Sequence, residues 1–130
     1  MTKVFVYGTL QRGYGNSRLF AAYNNEESEG KFVTKATTVD SFRVENCGFP
    51  MAKLDPNGSK VSGEVWEATE ENMRRLDQLE GHPDFYTRTP TRVETEEGEI
   101  EEVEMYHINS RSLEMLRQDN TPGVVYQWGR

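Results

Sequence analysis

The chain has 130 residues, 35% of them hydrophobic and 11% aromatic, with 22 acidic against 15 basic side chains for a formal net charge of −7. That length suits a single domain over 1–130 that buries a core without disulfides, and no low-complexity tract argues for disorder. The acidic balance speaks against nucleic acid, which is bound through clustered Lys and Arg, while one cysteine (Cys47) excludes an internal disulfide and, with only two histidines, leaves no expected metal site.

The N-terminus, Met1-Thr2-Lys3-Val4, carries no charged-then-apolar signal region, and no apolar run reaches the ~18 residues of a membrane span. The expected location is cytoplasmic, with no membrane partner. Val4, Phe5 and Val6 have high β-propensity and lead through Tyr7 to Gly8, so Val4–Gly13 reads as a strand running into a loop with exposed amide N–H groups. Gly8 and Gly13 have the spacing of two phosphate-loop glycines, but Tyr14 and Gly15 follow where Lys and Ser or Thr are required. A nucleotide is thereby excluded, and what survives is a loop suited to a carboxylate or a carbonyl oxygen.

Leu19, Phe20 and Tyr23 at helical spacing predict a short helix over 16–23, with Asn16 and Ser17 as caps. Residues 31–42, rich in Val and Thr, predict a strand, and a second extended segment over 50–54 follows the turn-prone Asn46-Cys47-Gly48-Phe49. The turn Asp55-Pro56-Asn57-Gly58-Ser59 is expected to join 50–54 to 60–68 as a hairpin. In the latter segment Val61, Gly63 and Val65 alternate with Ser62, Glu64 and Trp66, so one face is buried and Trp66 must find cover on the other. Tyr86–Thr95 and Ile100–Asn109 read as strands joined by Glu96-Glu97-Gly98-Glu99. The seven glutamates between Glu94 and Glu104 read as a solvated hairpin. A last helical turn is expected over 112–118, and the apolar tail 123–128 is expected to dock.

The segment 69–80 is the strongest helix. Thr69 is a good N-cap, Glu70 and Glu71 put negative charge in the first turn, Met73, Leu76 and Leu79 form an apolar stripe, and Gly81 with Pro83 ends it. Positions 73, 76 and 80 follow the three-then-four spacing of one face, which directs Glu80 inward along that stripe. Lost water and the helix C-terminus both favour its neutral acid, the property a general acid–base needs near neutral pH. The alternative is a frayed end with Glu80 in solvent. A Cys47–His pair involving His82 or His107 is a weaker nucleophilic option. Tyr86, Tyr106 and Tyr126 can each pack in a core while offering a hydroxyl to a ligand.

The opening VFVYGTLQRG, the segment LDQLEGHPDFYTRT from Leu76 to Thr89, the distance between them and the intervening GEVWEA resemble the γ-glutamylcyclotransferase-like superfamily, in particular its γ-glutamylamine cyclotransferase branch. The resemblance runs from Lys3 to about Tyr106 and fades in the acidic hairpin and the tail. It implies an α+β fold, a mixed β-barrel with short helices and a central cavity. It further implies that Tyr7, Gly8, Thr9 and Leu10 form the substrate-binding loop, that Glu80 is the catalytic glutamate, and that Tyr86 lies near the same pocket. The implied reaction converts a γ-glutamyl amine or amino acid to 5-oxoproline and a free amine, with no cofactor. The expected partner is thus a small γ-glutamyl molecule, and the expected oligomeric state a monomer. Two other readings stand beside catalysis: a protein that binds a γ-glutamyl-like molecule without turning it over, and a module whose acidic hairpin engages a basic partner.

Overall fold

The structure, a computed structural model, describes residues 2–8, 30–46, 50–80, 86–108 and 125. The helix expected over 16–23, the turn at Cys47, His82 and the helical turn over 112–118 lie outside the described residues. So does the tail apart from Val125, which is exposed.

The described elements are β1 (Thr2–Val6), β2 (Lys31–Thr38), β3 (Phe42–Asn46), β4 (Pro50–Leu54), β5 (Ser62–Ala68), α1 (Glu70–Glu80), β6 (Tyr86–Thr95) and β7 (Ile100–Ile108). Five strands close into a barrel in the order β1-β5-β2-β6-β7. The neighbours are antiparallel except at the closing seam, where β1 runs parallel to β7 with Val4 beside Glu104 and Phe5 beside Met105. Closure removes the open edges that would otherwise template pairing with another chain. Among the described residues, no helix is long and apolar enough to cross a membrane.

Two cores follow from the two-residue period of the strands. Phe5, Tyr7, Ala36, Val65, Val93, Val103 and Met105 point into the ring and pack with Phe42, Val44, Ala52 and Val61. Val4, Val6, Ala68 and Tyr106 point outward and are covered by Met73 and Leu76 of α1. Burial on both faces explains why β1 is apolar at successive positions instead of alternating. Trp66 finds its cover on the outer face, edge-on to Phe32 with ring centroids 5.8 Å apart. Its Nε1 donates to Glu64 Oε1 at 3.2 Å. That face of β5 is therefore not solvated, and Glu64 is buried within it.

Two expectations about strands need correction. The strand foreseen over 31–42 is broken: β2 stops at Thr38, whose amide donates to the Val61 carbonyl while Val39 N donates to Arg92 O, and a new strand starts at Phe42. The segment 50–54 does not pair with 60–68; it pairs with β3, Val44 opposite Ala52, in a separate two-stranded sheet. The turn chemistry at 55–59 is as expected, with Asn57 N donating to Asp55 Oδ1 and Gly58 N to Asp55 O. It is diverted because Ser59 and Phe42 exchange backbone hydrogen bonds of 2.9 and 2.7 Å. Gly58 allows that approach, since a Cβ there would lie 2.1 Å from the Phe42 carbonyl oxygen.

The β6–β7 hairpin and α1 agree with their predicted forms. Gly98 has φ +82°, a conformation glycine adopts without strain, and Thr95 N donates to Glu99 O across the turn. At the start of α1, Thr69 and Asn72 cap one another: Asn72 N donates to Thr69 Oγ1 at 3.1 Å and Thr69 N to Asn72 Oδ1 at 3.0 Å.

Candidate active site

Strand directions gather the sequence-derived positions at one end of the barrel. β1 ends there at Val6 and delivers Tyr7 and Gly8. Because β5 is antiparallel to β1 and finishes with Ala68 opposite Thr2, the helix that follows starts at the far end and returns along the outside. Its eleven residues span about 16 Å, roughly the length of five strand residues. Asp77 reaches the level of Tyr106, so the last turn, closed by Glu80, is directed toward the end that carries Gly8. β6 begins at that same end with Tyr86 opposite Ile108.

Each position has a distinct status. Tyr7 is buried, stacks on Phe5 with centroids 6.1 Å apart, and donates from its hydroxyl to the Tyr106 carbonyl at 2.8 Å. Its hydroxyl thus holds the end of β1 against β7. Gly8 is partly exposed at the start of the loop. Glu80 is the final residue of α1 and Tyr86 the first of β6. Thr9 and Leu10 lie outside the described residues.

Four side chains around this end carry chemistry: Tyr106 and His107, which the sequence offered as a ligand hydroxyl and as a partner for Cys47, and Asp77 and Arg88, which it did not single out. Asp77, on α1, accepts a hydrogen bond from the Tyr106 hydroxyl. Arg88 approaches the same carboxylate side-on, with Nε 3.2 Å from Oδ1 and Nη2 donating to Oδ2 at 3.3 Å. Arg88 stands directly across from Tyr106 in the β6–β7 register. The fourth is His107, whose Nε2 lies 2.6 Å from Thr89 Oγ1 and whose ring tilts against Phe42 at 6.5 Å. One signal for His107 was in the sequence: it continues the inward series Val103, Met105 at the strand period. For Asp77 and Arg88 no local pattern serves, because their meeting depends on how α1 lies on the barrel.

Residues 4–127 match the family described as "Gamma-glutamyl cyclotransferase, AIG2-like". The chain belongs to this family. The match reaches through the acidic hairpin to Gln127, further than the motif resemblance that fades after Tyr106. A gamma-glutamylaminecyclotransferase of Rattus norvegicus is 36% identical over 105 residues, covering 76% of this chain and 68% of the rat protein. The crystal structure of an AIG2-like protein from Mus musculus superposes with a TM-score of 0.80 at 29% identity, covering 95% of this chain and 88% of the mouse chain. An uncharacterized Pyrococcus horikoshii protein has the same fold at 18% identity, with a TM-score of 0.63 over 94% of this chain and 85% of its own. The ring of five strands with its short helix is the fold of the gamma-glutamyl cyclotransferase family. Membership makes this chain a cyclotransferase-family enzyme and implies a small γ-glutamyl substrate.

Proposed function

We propose that this family member converts a γ-glutamyl amine or γ-glutamyl amino acid to 5-oxoproline and the free amine, with Glu80 as the general acid–base. The observation that carries the reading is the convergence of the end of β1 with Tyr7 and Gly8, the C-terminus of α1 and the start of β6 at one end of the barrel. The amine-specific name of the rat relative supports the choice of substrate class. The helix supports the role of Glu80: as the final residue of α1 it sits at the negative end of the helix dipole, where an ionised carboxylate is disfavoured.

In this reading the amides from Gly8 to Leu10 hold the substrate α-carboxylate. The γ-glutamyl chain folds so that its α-nitrogen faces the γ-carbonyl carbon, which makes closure of the five-membered ring effectively unimolecular. Glu80, ionised, takes a proton from the α-ammonium. The freed amine attacks the γ-carbonyl carbon, the new C–N bond forms, and loop donors stabilise the oxyanion. The original γ-carbon–nitrogen bond then breaks as Glu80 returns its proton to the departing amine, and the ring nitrogen loses its second proton to the regenerated Glu80 carboxylate, which passes it to the released amine. Tyr86 contacts the bound γ-glutamyl group from the β6 side.

The test is incubation with a panel of γ-glutamyl amines and dipeptides, with detection of 5-oxoproline. Turnover of at least one substrate is expected, and Glu80→Gln should lower kcat by about 10²–10⁴-fold, the range for loss of a general acid–base, with an unchanged melting temperature. No 5-oxoproline from any substrate, or full activity in Glu80→Gln, overturns the reading.

A further inference from the structure

We propose that Tyr106, Asp77 and Arg88 form a positioning unit that fixes the last turn of α1 against the end of β1 at Tyr7. The unit rests on the role given above to Glu80, because the residue it orients lies three positions beyond Asp77. Two attachments of Tyr106 bear on the site. Its backbone carbonyl accepts from the Tyr7 hydroxyl at the end of β1, and its own hydroxyl donates to Asp77 on the helix. One residue of β7 therefore ties the loop side and the helix side of the site to a common strand.

Arg88 completes the hold. It faces Tyr106 across the hairpin and meets both oxygens of Asp77, Nε beside Oδ1 at 3.2 Å and Nη2 on Oδ2 at 3.3 Å. A carboxylate gripped from two strands cannot swing about the helix axis without losing directional contacts to one of them. Residues three apart are neighbours on a helix surface, so the azimuth of Asp77 sets that of position 80, about 4.5 Å further along the axis.

The location argues for orientation over bulk stability. The start of α1 is secured by the reciprocal Thr69–Asn72 cap, and its middle by Met73 and Leu76 in the outer core. The C-terminal turn, whose final carbonyls have no partner within the helix, is where fraying concentrates and where this polar grip sits. Apolar packing sets how close the helix lies but is tolerant of rotation. Directional hydrogen bonds are not.

The test compares Tyr106→Phe and Asp77→Asn with Met73→Ala, which weakens the same seam without touching the polar unit. Amide hydrogen exchange in the three full-length variants gives a readout independent of substrate. Exchange at positions 78–80 is expected to accelerate at least about tenfold in Tyr106→Phe and Asp77→Asn, and not in Met73→Ala, the local opening of one turn being separable from global unfolding. In turnover, the two polar variants should lose kcat by about 10- to 100-fold with little change in KM, as for a catalytic group displaced by a fraction of an ångström to 1 Å. Met73→Ala, assayed well below its melting temperature, should keep kcat. In a Glu80→Gln background, Asp77→Asn should add no further loss. Unchanged exchange at 78–80, or an equal kcat loss in Met73→Ala, overturns the positioning unit. Wild-type kcat in Asp77→Asn alongside an inactive Glu80→Gln overturns the unit and leaves the proposed function standing. An active Glu80→Gln overturns the proposed function, while exchange still decides whether the unit holds the turn. Tyr106→Phe keeps the test open should Asp77→Asn fail to fold.

Discussion

The inside of the barrel and the seam beneath α1 are built from neighbouring residues of the same strands, yet they hold the molecule in different ways. Inside, Phe5, Val65, Val93, Val103 and Met105 meet at exposures of no more than 3%. Outside, Val4, Val6 and Leu76 give way within one helical turn to Asp77, Arg88 and the Tyr106 hydroxyl. An apolar interior is held by volume, and dispersion has no preferred direction. The seam adds hydrogen bonds that specify an angle. A helix that only had to cover apolar strands would need Met73 and Leu76; one that must present its last residue in a set direction needs a polar contact near that end.

Substitutions on the two sides should separate these roles. The largest effect is expected inside: Phe5→Ala removes a fully buried ring that stacks on Tyr7 and should destabilise by about 3–5 kcal/mol, read as a lowered urea midpoint with an unchanged slope. A slope that falls instead would mean that the barrel opens in parts. At the far end of the seam, Thr69→Ala removes the hydroxyl that accepts from Asn72 N and should lower stability by ~1 kcal/mol. If that variant also raises amide exchange at 78–80, the two ends of α1 are not held independently.

The smallest effect belongs to the closing strand pair. Lys3 Nζ lies 2.7 Å from Glu101 Oε1, a half-exposed surface pair of the kind that contributes below about 1 kcal/mol. The hydrogen bond to Glu101, aided by the charges of Glu101, Glu67 and Glu99 and opposed by slight desolvation, raises the Lys3 pKa above its ordinary value of 10.5. A raised lysine pKa means that the contribution is complete below the unfolded value and is lost as pH climbs through the folded one. Lys3→Met should therefore melt slightly lower at neutral pH, and the gap should close in strongly alkaline buffer and in high salt. A gap that persists in both would show that Lys3 acts through the packing of its stem.

The sequence was most legible where local rules decide structure. Strand β6 has the predicted bounds Tyr86–Thr95 because Thr91, Val93 and Thr95 alternate with exposed Arg92 and Glu94 and because Gly98 supplies the turn. The start of α1 could be read from Thr69 and the acidic residues after it. Where a partner had to be chosen over distance, reading failed. Nothing local says that β2 will end at Thr38, or that Phe42 will capture Ser59 and turn 50–54 toward β3. For the candidate site, motif resemblance proposed Tyr7, Gly8, Thr9, Leu10, Glu80 and Tyr86. The grip on Asp77 stayed hidden, since an aspartate between Leu76 and Gln78 looks like an ordinary polar residue of an exposed helix face.

The parallel seam between β1 and β7 has a consequence for how the chain acquires its shape. β1 is synthesised before both of its neighbours, which arrive about 60 and 100 residues later, as Val4 pairs with Trp66 and then with Glu104. Contacts so distant along the chain form slowly, because the intervening segment must be confined before any pairing compensates. Until β7 emerges, Val4, Phe5 and Val6 present an apolar strand with one unpaired edge. The nascent protein passes through an open sheet, and the last strand of the ring converts it at once into a barrel without edges and into the scaffold on which Tyr106 reaches both the loop and the helix.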